Sequence, residues 1–196
     1  MVLNLTSYSP VDFIPYTREI YYSLLANSLT SQFSIHLLTV FINFVWIWAF
    51  VKRNLSIQFC SLALLWFICG YYFYGNLYAQ INWIAPKMSW ACYIQSLVCL
   101  AFVPISLKFR PENKSVLTWI IFTVFVALGP AAIWPVYQVM DWNALGFPGL
   151  NSTTLWLLTL SSYLSMPSSK SRFFAMVPTL PLIIFNLMRF YVFHVS

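Results

Sequence analysis

The chain has 196 residues, 61% of them hydrophobic and 7% charged, where an average soluble domain carries about 25% charged residues. Ten Lys and Arg, four Asp and Glu and a mean hydropathy of +0.76 leave too little polar surface for an ordinary water-soluble domain. The same figures exclude a disordered chain and a disulfide scaffold, and they leave an all-α, polytopic membrane helix bundle.

In chain order, the N-terminal stretch does not read as a signal peptide, because its first basic residue is Arg18 and no apolar region with a cleavage site follows a charged start. Thr17 can cap a helix and Glu19 falls in its first turn, near the positive end of the dipole. Ile20, Tyr21, Leu24 and Leu25 then share a face, so Thr17 to Ser28 is predicted as an amphipathic helix lying in the outer interface. Residues 1–31 form an outer-face segment and 32–196 the transmembrane domain.

Crossing a hydrocarbon core about 30 Å thick takes about 20 mostly apolar helical residues. Six segments meet or approach that length: Gln32 to Val51, Leu55 to Tyr74, Met88 to Leu107, Val116 to Trp134, Ser152 to Met166 and Phe173 to Phe193. They are apolar all round rather than along one stripe, and they lack the alternation of barrel strands. Gly129-Pro130 and the pair Pro178 and Pro181 are expected to bend the fourth and sixth spans.

Lys52, Arg53, Lys108, Arg110, Lys114, Lys170 and Arg172 fall in the odd-numbered loops, against Arg18, Lys87 and Arg189 on the other side. The positive-inside rule therefore puts the odd loops in the cytoplasm and both termini outside. The net charge of +6 is mostly topological, and no basic face outside the spans suits nucleic acid. Tyr71, Tyr72, Tyr74, Tyr78, Trp83, Trp90, Trp134 and Trp142 gather at the outer side, as an interfacial belt or as the lining of a binding cleft. The outer loops Gly75 to Lys87 and Pro135 to Asn151 are long and rich in Trp, Asn, Pro and Gly, the composition of loops that grip a ligand or plug a bundle.

At these residues the chain resembles the bacterial integral membrane proteins catalogued as domain of unknown function 6064. Pro15-Tyr16-Thr17-Arg18-Glu19 running to Asn27 resembles that family's Pro-aromatic-Thr-Arg-Glu stretch, with Ala26 where the family has Tyr. Phe73-Tyr74 to Ile81-Asn82 is similar to its Tyr-His … Phe-Phe … Ile-Asn block, with Tyr74 where the His usually stands. Gly146-Phe147-Pro148 to Thr153-Thr154-Leu155 resembles its Phe-Gly-hydrophobic-Pro-Cys-Pro-Thr-Thr block, interrupted by Gly149-Leu150-Asn151 and without the Cys. Met176-Val177-Pro178 fits the start of its last span. The resemblance implies a six-helix bundle in a bacterial inner membrane, with both termini on the periplasmic side by the charge rule, and it supplies no activity.

Polar side chains inside lipid are costly, so each is a functional candidate. Span one carries His36, Thr39 and Asn43 at spacings that share a face; Gln58 and Gln95 lie in spans two and three, and Asn186 and Arg189 in span six. No Asp or Glu lies in any span, which argues against proton-coupled transport. Arg189 is expected to snorkel to the outer surface or to pair with Asp141. Cys69 and Cys92 come to similar depth, yet there is no CxxC, HExxH or His cluster, and neither a cofactor nor a metal is implied. The candidate ligand-binding or path-lining residues are His36, Asn43, Asn82, Asp141, Asn186 and Arg189. No catalytic grouping stands out. The leading expectation is a non-enzymatic membrane component that binds a partner protein, a second copy or lipid through its aromatic outer loops. A small-solute channel or permease with its path between spans one and six comes second, and a membrane enzyme with an outer-face site third.

Overall fold

The computed structural model describes residues 13–107, 152–166 and 175–195, and all of its regular structure there is helical. The helices are α1 (Arg18–Ser31), α2 (Phe33–Val51), α3 (Leu55–Ile68), α4 (Ala85–Ser106), α5 (Ser152–Leu164) and α6 (Leu180–Val195). Three are long and apolar enough to cross a membrane: α2, α3 with its helical continuation to Gln80, and α4. Leu155–Leu164 and Val177–Phe193 are shorter apolar helices. The predicted fourth span, the Pro135 to Asn151 loop and Gly129-Pro130 lie outside the described residues.

α3 is the central helix, packed on α2, α4 and α5, while α6 lies against α4 and α5. Outward stripes of large apolar residues run along α2 (Phe33, Leu37, Phe41, Phe44, Trp48), α4 (Trp90, Ile94, Leu97) and α6 (Ile184, Leu187, Tyr191). Water would not tolerate stripes of that size, and lipid requires them.

The α2–α3 turn is short because Arg53 takes a left-handed conformation (φ 56°), which lets the Asn54 amide return to Ala49 O at 2.8 Å. Asn54 then caps α3, its side-chain oxygen accepting from Ile57 N at 3.1 Å. Between α3 and α4 the backbones approach at Gly70, where an added Cβ would stand 2.9 Å from Cys92 Cβ. Small residues at such crossings let backbones come close, and polar side chains then tie the helices. Ser96 Oγ donates to Ala63 O at 2.7 Å, and Ser56 and Ser106 share a 2.9 Å bond. Trp66 Nε1 donates to Thr159 Oγ1 at 2.9 Å. Trp46 Nε1 donates to Ser162 Oγ, which donates in turn to Gln58 Oε1, both at 3.2 Å.

Three expectations change. Span two does not end at Tyr74: it continues as a π-helix, Cys69–Leu77, and a 3-10 turn, Tyr78–Gln80. The predicted Gly75 to Lys87 loop therefore shrinks to residues 81–84, since α4 begins at Ala85. The prolines of span six do not bend it midway. Pro178 lies in a 3-10 turn, Val177–Thr179, and Pro181 is the second residue of α6, where its missing N–H costs no helical bond.

Candidate functional site

The π-helix sets the geometry of one end of the bundle. Its i→i+5 bonding shifts the register of side chains relative to an α-helix, and such segments often mark functional sites. Tyr72, Tyr74 and Tyr78 turn into the protein, leaving Tyr71, Trp83 and Trp90 exposed as the belt residues. Tyr78 stacks on Phe73 with ring centroids 5.3 Å apart and meets Tyr16 and Tyr21 edge-on at 5.5 and 5.6 Å. Phe185 and Phe193 of α6 close the same cluster.

A chain of polar side chains runs through these rings. The Tyr74 hydroxyl bonds Ser152 Oγ at 2.8 Å, and Asn186 Nδ2 donates to the same oxygen at 2.7 Å. Arg189 Nη2 donates to Asn186 Oδ1 at 2.7 Å, and its Nη1 to the Tyr21 hydroxyl, also at 2.7 Å. The guanidinium lies over the Tyr21 ring, 4.6 Å from its centroid. The π-segment, α5, α6 and α1 are thereby joined at one end of the bundle.

Arg189 is partly buried and bonds Tyr21 and Asn186, because phenols and an amide offer it bonds that an apolar surface would not. Among the described residues, the groups that act on it are tyrosines and Asn186, and no carboxylate is among them. Asp141, the pairing partner considered above, lies outside the described residues. The Tyr78 hydroxyl is fully buried close to the guanidinium and to Asn82, and it makes no hydrogen bond of good geometry among the described residues. The Tyr16 hydroxyl is likewise buried and unbonded.

The other candidates are placed as follows. Asn186 and Arg189 are brought together. Asn82 is buried outside their chain of bonds and clamps the N-terminal segment: its Nδ2 donates to Phe13 O, and its Oδ1 accepts from Ile84 N, both at 2.9 Å. His36 and Asn43 share a face of α2 and bond along their own helix. Thr39 Oγ1 donates to His36 O at 2.8 Å, and Asn43 Nδ2 to Thr39 O at 2.7 Å. The buried His36 ring meets Tyr72 edge-on at 6.4 Å.

The thiols of Cys69 and Cys92 face each other in the interior, with no third metal-ligating side chain beside them among the described residues. Sequence reasoning missed the bonding roles of Tyr21 and Ser152, and it named Tyr74 and Tyr78 only as an aromatic belt or the lining of a cleft. The available signal was the lone arginine of the last span: with no acid in any span, its partners had to be hydroxyls or amides.

Compared with protein-family models, with curated proteins and with solved structures, the chain matches none.

Proposed function

We propose that this chain is a six-span protein of a bacterial inner membrane with both termini outside. In this reading it is a non-enzymatic component that holds a partner protein or a lipid at its outer end. The span count rests on three long apolar helices, two shorter ones beside them and one further apolar segment, Val116 to Trp134. The orientation rests on the excess of Lys and Arg in the odd loops, and the membrane on the resemblance given above.

One observation carries the functional reading. Arg189 is held by Tyr21 and Asn186 among aromatic rings, beside a buried hydroxyl that makes no hydrogen bond of good geometry among the described residues. Such an arrangement costs stability unless something bound there uses it.

Two measurements test it. A reporter fused after Ser196 is expected on the periplasmic side, and a cytoplasmic signal refutes the orientation. Extraction of the wild type and of Arg189→Gln from native membrane, with the surrounding lipid retained in polymer discs, is expected to show a lipid or protein kept by the wild type and lost from the variant. Identical contents in the two preparations refute binding at this end. A channel or permease would use the same polar chain from Tyr74 to Arg189, and it would show as solute flux into vesicles that the variant abolishes.

A further inference from the structure

The unused hydrogen-bonding capacity at the outer end is mostly donor capacity. A guanidinium has five N–H donors, and two bonds to it are formed here, to Tyr21 and Asn186. Beside it stands the Tyr78 hydroxyl, 0% exposed and unbonded, and edge-on to Tyr78 stands Tyr16, 7% exposed with its hydroxyl also unbonded. Rings wall these groups, so water is a poor general substitute. A neutral or cationic ligand would leave the guanidinium as it is, whereas an oxyanion with several acceptor lone pairs can take the guanidinium and the neighbouring Tyr78 hydroxyl together, with Tyr16 packed on the Tyr78 ring.

Depth narrows the anion. With the C-terminus of α6 outward, Arg189 lies about 9 Å of helical rise below Val195, just under the headgroup layer. The same end carries an interfacial marker: exposed Trp83, with Lys87 Nζ 5.1 Å from its ring centroid, stacked against Phe13 of the N-terminal segment. Phosphates are the oxyanions concentrated at that level.

We infer that Arg189, Tyr78 and Tyr16 form a phosphate-binding site, taking either the headgroup phosphate of an anionic phospholipid or free phosphate. This rests on the outer-end binding proposed above and names its chemistry.

The test uses the full chain in a maltoside detergent, which carries no phosphate. Thermal unfolding is followed on adding phosphatidylglycerol, inorganic phosphate, or diacylglycerol, which has the lipid tails without the phosphate. The wild-type Tm is expected to rise with one of the first two and not with the third. A rise with phosphatidylglycerol alone makes the source a lipid headgroup, and a rise with inorganic phosphate makes it the free anion.

Tyr78→Phe removes one hydroxyl and keeps the ring on Phe73. Its unliganded stability should match or exceed that of the wild type, while its affinity falls about tenfold, the loss expected for one hydrogen bond to a charged group. Arg189→Gln should abolish the response.

Equal responses to diacylglycerol and phosphatidylglycerol overturn the site, as does an unaltered response in Tyr78→Phe. Loss of unliganded stability in Asp141→Asn as large as in Arg189→Gln would mean that a carboxylate of the chain itself occupies the place. A partner protein kept from native membrane by wild type and Tyr78→Phe alike, with no phosphate response, removes this site and leaves outer-end binding standing.

Discussion

Gly70→Ala tests the packing on which the Tyr74–Arg189 end of the bundle is built. The added methyl would stand 2.9 Å from both Cys92 Cβ and Tyr93 Cε1, and 3.0 Å from Ser89 O. Ordinary carbon contacts begin near 3.5 Å, so the carbon contacts are short by roughly 0.6 Å. The tyrosine ring can swing aside, but a Cβ and a carbonyl oxygen move only with the backbone of α4. Relief therefore means shifting α4 from α3 and the π-segment, the most extensive contact among the described residues. Overpacking of this kind costs about 1–3 kcal/mol, and two backbone-fixed clashes place it near the top. Alanine's better helix propensity returns about 1 kcal/mol. The net loss is about 2 kcal/mol, or roughly 4–8 °C in Tm for a chain of this length. The assay is reversible unfolding in mixed micelles. Adding Cys92→Gly should recover part of the loss, whereas Cys92→Ala should recover none, since alanine keeps the Cβ. A Gly70→Ala protein as stable as the wild type, or equal rescue by both changes at Cys92, refutes the argument.

Ser152→Ala cuts the polar chain where Tyr74 and Asn186 meet, and intramembrane bonds of this kind contribute about 0.6 kcal/mol each, up to about 1.7. A loss of about 1–2 kcal/mol is expected, and it should be less than additive with Tyr74→Phe in a double-mutant cycle; strict additivity would separate the two residues. Arg53→Gly is expected to raise stability by about 1 kcal/mol, because the φ of 56° strains any residue with a Cβ; a lower Tm would show that the arginine's contacts outweigh the strain.

Span one was legible almost to the residue, Gln32 to Val51 against the observed Phe33–Val51, because apolar run length is a local property. The shared face of His36, Thr39 and Asn43 was equally plain, since helical spacing alone fixes it. So was the common depth of Cys69 and Cys92, which follows from counting rises from the two helix ends. The end of span two was not. Nothing local in Cys69–Leu77 announces i→i+5 bonding in place of i→i+4, and the packing of Gly70 and Gly75 against their neighbours accompanies it. That one departure turned Tyr74 and Tyr78, which read as members of an interfacial belt, into the interior.

Composition and charge placement by themselves determined that this chain belongs in a membrane, since 7% charged residues cannot cover a soluble surface. They also showed that Arg189 would find no acid within the spans. Only the tertiary structure decided which groups hold it. Tyr21 lies 168 positions away in sequence, and Ser152 bonds both Asn186, 34 away, and Tyr74, 78 away. Hydropathy and periodicity describe how one segment meets its solvent. They carry no information about which distant hydroxyl a partly buried cation will meet once the helices have packed.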